Sequence, residues 1–318
     1  MTRPARPTDS PYAPAVADRE LTAVSADGSR LHVELHGPEG APAVVLVHGW
    51  TCSTLFWAPV IRELLPDHRV VVYDQRGHGR SPAPGPSGYS TTALADDLEA
   101  VLAATLSPGE RAVVAGHSMG GMTLMAAAGR PFLAERAAAV LLANTGSARL
   151  VPEAAVVPLR PGRLRTALQG ALLGSTLPLG PVTALSRALL KYGTMGPRAS
   201  REQSDAVARV VHACPRKVRG LWAKKVLAVL DVHANLARLT VPAAVLTGSA
   251  DRLTPPVLSQ RIVEALPVPA GLTSLPGLGH MTPVEAPDKV AGVIRGLVRD
   301  HLTGTAAGEG TLIKEESA

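Results

Sequence analysis

The sequence predicts an α/β fold: a mostly parallel central sheet with helices on both faces, and an inserted helical cap. Three observations support this prediction. Short apolar runs alternate with helical stretches from Glu20 to Asn144, the alternation stops over residues 146–239, and it resumes at Pro242. Strands that are apolar along their whole length are typical of parallel sheets, because helices cover both faces of such sheets.

In the first half of the chain, β-rich and apolar runs predict strands, and helical periodicity separates them. The predicted strands are the runs LTAVS and LHVELHG and residues 43–49, 69–74, 111–116 and 138–144. The predicted helices cover residues 55–65, about 91–106 and about 119–129.

Residues 146–239 predict several short helices broken by Gly and Pro, with no convincing strand, and we interpret them as the cap. The sheet pattern then returns with a strand at 242–248, a helix at 256–266, a strand at 271–276 and a last helix at about 283–301. The predicted core is therefore 20–145 and 240–302. Residues 1–19 are predicted to form a flexible lead and residues 303–318 a disordered tail.

Composition favours a globular protein of the cytoplasm. The chain has 318 residues and 46% hydrophobic content, which is enough to bury a sizeable core. Its two cysteines show no CxxC spacing, so reduced thiols are expected. The Pro-rich start lacks the apolar segment of a secretory signal.

Residues 166–186 form a stretch of 21 uncharged residues. This length could cross a bilayer, but three Gly and two Pro lie inside it and would leave backbone groups unsatisfied in lipid. We therefore predict no membrane span, and expect an apolar cap that lines a pocket for an acyl or aryl group.

Charge is unevenly distributed. Residues 160–225 contain thirteen Lys or Arg against two acidic residues. Such a segment could attract nucleic acid, anionic lipid, or an acidic substrate or carrier, or it could be a solvated face without a partner. Nucleic acid is not favoured, because few aromatic residues are interleaved with the charges. The expected partner is a small-molecule acyl substrate that could be anionic or carrier-bound; the oligomeric state stays open.

The strongest candidate for a catalytic residue is Ser118. It is the central residue of GHSMG, which matches the pattern G-x-S-x-G between a predicted strand and a predicted helix. Small residues two positions on either side allow a tight turn that projects the hydroxyl, and the helix N-terminus behind it favours developing negative charge. Ser118 is therefore the predicted nucleophile.

A serine hydroxyl needs a base, and His280 is the best of the ten histidines. It lies in a Gly-rich loop between the last predicted strand and the last helix, from which it can reach over the sheet edge. Asp251 follows the strand at 242–248 and completes the order Ser, Asp, His. Its carboxylate would fix the imidazole tautomer. The acid could also lie at the end of the earlier strand, 138–144. Asn144 and Thr145 occupy that position, and neither side chain ionises.

The developing oxyanion needs backbone N–H donors. We predict that Met119, directly after the nucleophile, and Trp50, in the loop after the strand at 43–49, supply them. The Trp50 indole could equally form a wall of the pocket. Thr51, His117 and Trp222 are the predicted pocket residues.

Five segments, in this order and spacing, are similar to the α/β-hydrolase superfamily, in the branch of esterases, lipases, carbon–carbon bond hydrolases and cofactor-free haloperoxidases. They are HGWTCSTLFW, YDQRGHGRS, GHSMGGM, GSADRLTP and GLGHMTPVEAPD. The resemblance covers residues 20–145 and 240–300 but not the cap, which sets substrate choice. It implies no metal and no organic cofactor. Epoxide hydrolases and haloalkane dehalogenases carry Asp at the nucleophile position, so Ser118 argues against both activities.

The leading interpretation is a serine hydrolase that cleaves an ester or related acyl bond through an acyl-enzyme. A carbon–carbon bond hydrolase, a thioesterase and a perhydrolase or haloperoxidase would use the same three residues and remain alternatives. A ligand receptor with little turnover is the alternative from a different class, since one fold serves several functions.

Overall fold

An eight-stranded sheet forms the centre of the molecule, as a computed structural model of residues 10–304 shows. Predictions for residues 1–9 and 305–318 lie outside the described residues. The strand order is β1-β2-β4-β3-β5-β6-β7-β8. The strands are β1 Arg19–Val24, β2 Arg30–His36, β3 Ala43–Val47, β4 Arg69–Tyr73, β5 Ala112–His117, β6 Ala137–Ala143, β7 Ala243–Gly248 and β8 Pro269–Leu275.

Strands β3 to β8 run parallel to one another, whereas β2 pairs antiparallel with both β1 and β4. Within residues 10–304, twelve α-helices lie between or after the strands. They are α1 Ala58–Leu64, α2 Thr91–Thr105, α3 Met119–Ala127, α4 Pro131–Arg136, α5 Leu150–Glu153, α6 Arg163–Leu173, α7 Ala184–Thr194, α8 Arg201–Ala213, α9 Arg216–Lys225, α10 Pro256–Ala265, α11 Thr282–Glu285 and α12 Pro287–Val298. The predicted α/β class with a mostly parallel sheet is confirmed.

The core consists of two apolar layers, one on each face of the sheet. Consecutive residues of a strand point to opposite faces, so Val45 and Val47 join the layer under α2, α3 and α10, while Val44 and Leu46 join the layer under α1 and α12. All five residues of β3 are buried. This explains why the central strands are apolar without alternation.

Three local details differ from the predicted elements. The helix expected at 55–65 begins as a 3₁₀ turn, Thr54–Trp57, before α1. The last helix is interrupted at Ala286, because the residue before a proline avoids helical geometry. Residues 10–18 contact the core, since the Arg62 guanidinium donates to the carbonyls of Pro11 at 2.7 Å and Ala13 at 2.8 Å.

Residues 150–238 form helices α5 to α9 and two 3₁₀ turns, Leu227–Val229 and His233–Arg238. They follow β6 and precede β7, where we predicted the cap; the division into core and cap stays a prediction. Helices α6 and α7 are the least buried of the long ones: Gln169 is the buried residue of α6, and α7 has none. Within residues 10–304 no helix is both long enough and apolar enough to cross a membrane.

Candidate active site

Ser118 lies in a strained turn between β5 and α3. Its φ of 52° and ψ of −113° place a non-glycine residue in a conformation that is rarely occupied. The turn is tight because a Cβ on Gly120 would lie 2.1 Å from the Val47 carbonyl oxygen, and one on Gly116 would lie 2.5 Å from the Gly120 backbone. The glycines of the G-x-S-x-G pattern are thus required by backbone packing. Such strain is typical of functional positions.

Asp251 and His280 form a buried pair at the end of the sheet. Asp251 follows β7 and His280 follows β8, and the His280 Nδ1 donates to the Asp251 Oδ2 at 2.8 Å. Both residues are less than 5% exposed. Burial raises the pKa of Asp251, but its electrostatic interaction with His280 and hydrogen bonds from His280, Asn144 and Thr254 outweigh this effect, so the net pKa is lowered. The carboxylate is therefore ionised beside the imidazole.

Three further side chains fix this pair. The Asn144 Nδ2 donates to the Asp251 Oδ2 at 2.9 Å and to the Gly279 carbonyl at 3.1 Å. The Thr254 hydroxyl donates to the Asp251 Oδ2 at 2.8 Å, and the Thr282 hydroxyl donates to the Asn144 Oδ1. Sequence reasoning considered Asn144 as a position for the acid and missed this supporting role. Asn144 directly follows β6 and has a positive φ of 46°.

Ser118 and His280 line the same cavity. Within residues 10–304 no hydrogen bond joins the Ser118 hydroxyl to His280, so proton transfer requires the two side chains to approach each other. Such bonds are often long without substrate and tighten when it binds. The structure thus brings the three predicted residues to one end of the sheet, with the Asp251–His280 bond already made.

His117 supports His280 through a hydrogen bond to its backbone. Its Nε2 donates to the His280 carbonyl at 2.8 Å, and the two rings lie 4.8 Å apart. Burial, followed by the electrostatic interaction with His280, lowers the pKa of His117 to about 3. His117 therefore stays neutral at ordinary pH and does not compete as a base. It also lines the cavity.

The two predicted oxyanion donors lie beside Ser118. Met119 is the first residue of α3, and a Cβ on Gly49 would lie 3.1 Å from the Ser118 Cβ, so the loop carrying Trp50 packs directly against the nucleophile. Within the described part of the chain, neither the Met119 nor the Trp50 N–H donates a hydrogen bond. Two free donors at this position match the requirement for binding an oxyanion.

The loop after β3 is held by buried histidines. The Gln75 N–H donates to the His48 Nε2 at 3.0 Å, and the Thr51 N–H donates to the His78 Nε2 at 3.3 Å. Thr51 has a positive φ of 64° and lines the cavity. Rigid support of this kind preorganises the backbone donors of the loop.

The cavity above Ser118 has a volume of about 310 Å³ and a mostly apolar lining. Its walls come from the loop after β3, the turn at Ser118, the loops at Thr254 and His280, and the cap. The cap residues include Leu150, Val151, Leu172, Leu173, Leu177, Leu179, Leu189, Leu190 and Leu227. The Trp50 indole forms part of the wall, and its Nε1 donates to the Arg219 carbonyl at 3.0 Å.

Trp222 does not belong to this cavity, contrary to the prediction. Its side chain is fully buried and its Nε1 donates to the Arg76 carbonyl at 3.4 Å. Its ring packs against Tyr89 and His78, with centroid distances of 5.2 and 6.4 Å. Trp222 therefore anchors α9 to the loop after β4, because its face of the helix is directed at the core.

One group of side chains within residues 10–304 has the composition of a metal site. Glu20, His32 and Glu34 each place a ligand atom within 4.8 Å of the others on β1 and β2. Glu20 pairs with Arg80 at 2.8 Å, and Glu34 accepts from His32 at 2.9 Å and from Thr54 at 3.0 Å. The carboxylates of this group thus already have hydrogen-bonding or ion-pair partners. The group lies at the edge of the sheet formed by β1 and β2, whereas β7 and β8 form the opposite edge.

Comparisons with known proteins agree with this fold. A family model described as "Alpha/beta hydrolase family" matches residues 44–293. The protein named "Putative carbamate hydrolase RutD" from Variovorax paradoxus is 34% identical over 252 residues, which are 79% of this chain and 89% of that protein.

Two solved structures are similar over most of their length. The enol-lactonase from Burkholderia xenovorans LB400 superposes with a TM-score of 0.68 at 25% identity, covering 88% of this chain and 100% of that one. A thermophilic esterase from Thermogutta terrifontis gives a TM-score of 0.70 at 23% identity, covering 89% and 99%, a likeness that shows the fold alone. The family model, together with this fold, establishes that the chain is a hydrolase belonging to the alpha/beta hydrolase family.

Proposed function

We propose that this chain is a serine hydrolase that cleaves esters with an apolar acyl or aryl group, with Ser118 as nucleophile, His280 as general base and Asp251 as the acid that orients it. One observation carries the proposal. The buried Asp251–His280 pair, joined at 2.8 Å, opens onto the same apolar cavity as the strained Ser118.

In this mechanism the His280 Nε2 accepts the Ser118 proton while the serine Oγ bonds to the substrate carbonyl carbon. The carbonyl electron pair moves to the carbonyl oxygen, and the backbone N–H groups of Trp50 and Met119 donate hydrogen bonds to this oxyanion. Collapse of this intermediate expels the alcohol, which takes the proton from His280, and leaves an ester on Ser118. Water activated by His280 then attacks the ester and releases the acid.

The lining of the cavity supports an apolar substrate. Leucine and valine side chains of the cap form most of it, and the guanidinium of its one Arg, Arg219, is already bonded to the carbonyls of Ser175 and Leu177. Because few polar groups remain to bind a charged or strongly hydrated group, affinity should come from buried apolar area.

Carbamate hydrolysis is the second candidate, supported by the 34% identity to the relative named as a carbamate hydrolase. Ser118, deprotonated by His280, could attack a carbamate carbonyl and form a carbamoyl-enzyme, while the alcohol of the carbamate leaves with the proton from His280. A small polar carbamate would leave most of a 310 Å³ apolar cavity unfilled. We therefore rank an aryl carbamate above an unsubstituted one, and both below an apolar ester.

The nucleophile can be tested with a fluorophosphonate probe. Ser118→Ala should abolish covalent labelling and esterase activity while the protein remains folded by circular dichroism, because the attacking oxygen is removed. Ser175→Ala is the matched control, since Ser175 also lines the cavity but lies on the cap. Labelling that persists in Ser118→Ala would place the nucleophile elsewhere. Stoichiometric labelling of wild type without turnover of any ester would support a receptor instead.

A graded substrate series tests the substrate class. With p-nitrophenyl esters, kcat/KM should rise by up to about fourfold per added CH₂ until the cavity is filled. Phenyl carbamates, a thioester and a dienone measured in parallel separate the alternatives that share the three residues. A preference for the shortest acyl group, or faster turnover of a small carbamate, would contradict the proposed substrate class.

A further inference from the structure

The cap carries an unusual concentration of exposed apolar side chains. Of the sixteen large apolar side chains that are exposed within residues 10–304, ten lie between Leu159 and Tyr192. Exposed apolar residues that are scattered singly are ordinary, whereas a contiguous group marks an interaction surface. These ten side chains lie on helices α6 and α7 and in the segments beside them, and both helices contribute little to the core.

Helical spacing aligns these side chains into two stripes. On α6, Leu164, Leu168 and Leu172 follow at intervals of four residues and are 68%, 45% and 58% exposed. On α7, Leu185 and Leu189 are 70% and 63% exposed. We call these five residues the cap leucine surface.

The cap leucine surface is continuous with the mouth of the cavity. Leu172 and Leu189 belong to both, because each is more than half exposed and each also lines the cavity. Leu164, Leu168 and Leu185 do not line the cavity. The apolar surface thus extends from the cavity outward, farther than a substrate inside the cavity would reach.

The same segment is purely cationic. Between Ala154 and Arg201 the sequence has no Asp or Glu, and it has seven basic residues: Arg160, Arg163, Arg165, Arg187, Lys191, Arg198 and Arg201. Arg160 lies three residues before α6 and Arg163 is its first residue. Both are exposed, and neither forms an ion pair with another residue of the described chain. Exposed leucines bordered by unpaired arginines are typical of helices that lie in a lipid interface.

We propose that the cap leucine surface, with Arg160 and Arg163, binds an anionic lipid surface and turns the mouth of the cavity toward it. A lipid surface offers both negative headgroups and an apolar layer. An acidic protein or a nucleic acid would satisfy the arginines but not the leucines, and a second copy of the chain would bring cations against cations. The inference concerns binding and does not depend on the catalytic assignment.

Vesicle co-sedimentation of the full chain tests the proposal. All binding measurements use Ser118→Ala protein, so that binding is measured without turnover and its result does not depend on the proposed function. Partition onto vesicles of phosphatidylglycerol and phosphatidylcholine should exceed partition onto phosphatidylcholine alone and should fall with salt. Arg160→Gln/Arg163→Gln should lower partition by about 30-fold. Leu164→Gln/Leu185→Gln should lower it by at least about tenfold.

Matched controls carry the same changes outside the cap. Val24→Gln/Leu272→Gln replaces exposed apolar residues of β1 and β8. Arg19→Gln/Arg30→Gln removes two exposed charges from β1 and β2, which form one edge of the sheet. Both controls should bind within about threefold of the parent. The apolar control leaves the cap leucine surface unchanged, and the charge control leaves Arg160 and Arg163 in place to attract the bilayer at short range. In the background with Ser118 intact, Leu164→Gln/Leu185→Gln should hydrolyse a soluble short ester as wild type does.

Three outcomes would overturn the proposal. One is equal or absent binding to the two kinds of vesicle. Another is full binding by the leucine variant together with loss by the arginine variant, which would identify a polyanion site. The third is a wild-type dimer that the leucine variant dissociates without any vesicle binding, which would make the surface a contact between copies.

Discussion

At the scale of single residues, the Asp251 carboxylate has every oxygen committed. Its Oδ1 accepts from the N–H groups of Leu253 and Thr254, both at 2.9 Å, and its Oδ2 accepts from Asn144, Thr254 and His280. A carboxylate held in this way cannot rotate to another partner, so the His280 Nδ1–H has a fixed acceptor and the Nε2 lone pair is directed away from it, as a general base requires.

Asp251→Asn should therefore lower kcat by about 10³–10⁴-fold, because the amide neither fixes the imidazole tautomer nor stabilises the imidazolium that forms. Steady-state kinetics on a p-nitrophenyl ester measure the loss. Thr254→Val is the matched control: it removes a hydroxyl that contacts both Asp251 and His280 but keeps the charge, and it should cost less than about tenfold. Turnover of Asp251→Asn within tenfold of wild type would assign the acid to another residue.

Local pattern was sufficient to predict Ser118, Asp251 and His280 as candidates, because each follows a strand that could be recognised and the structure brings all three to one edge. It was not sufficient for Asn144 and Thr282, whose hydrogen bond joins positions 138 residues apart. Only the folded sheet brings these two side chains together. The misassignment of Trp222 has a related cause, since helical periodicity shows which face of α9 is apolar but not whether that face meets the cavity or the core.

At the scale of elements, strands and long helices were predicted well where Gly and Pro mark their ends. Helix α4, Pro131–Arg136, was missed, because six residues are too short to show helical periodicity. The cap helices were recognised as helices, but their packing was not predictable, since α6 and α7 expose the apolar residues that periodicity would assign to a core.

A buried ion pair joins the loop after β4 to α2. The Arg76 Nε donates to the Asp97 Oδ2 at 2.6 Å, and both side chains are almost inaccessible to solvent. Arg76 also pairs with Asp27, half-exposed in the turn after β1, at 2.8 Å. Arg76 lies two residues before His78. The Arg76–Asp97 pair therefore fixes the loop whose histidine supports the predicted oxyanion donors.

Asp97→Asn should lower the free energy of unfolding by about 3 kcal/mol or more, because it leaves a buried guanidinium without its main counter-charge. Urea unfolding at neutral pH measures this change. The adjacent Asp96 pairs with Arg130 near the surface, where both side chains are more than a quarter exposed. Asp96→Asn should consequently cost less than about 1 kcal/mol. Equal losses in the two variants would show that burial does not decide the strength of these pairs.

At the scale of the whole molecule, three neutral histidines are buried around the carboxyl end of the sheet. His48 and His78 each donate from Nδ1 to a backbone carbonyl and accept a backbone N–H on Nε2. Burial is the largest cause that lowers the pKa of all three, to about 4 for His78 and about 3 for His117. Protonation of His48 or His78 would break the bond that its Nε2 accepts, so acid should act on the site and on the fold together.

Because the folded pKa of these histidines lies below the unfolded value, the unfolded chain binds more protons on acidification. Their stabilisation is thus complete above about pH 6.5 and is lost as the pH falls toward 4, by up to about 1.4 kcal/mol per pH unit for each histidine. Urea unfolding at intervals from pH 7.5 to 5 should show a falling free energy of unfolding. In His78→Gln the free energy of unfolding should fall less steeply with decreasing pH, by roughly the contribution of one histidine. This difference in slope is independent of any difference in stability between the two proteins at pH 7.5. Parallel pH profiles for His78→Gln and wild type would mean that His78 is protonated equally in the folded and unfolded chain.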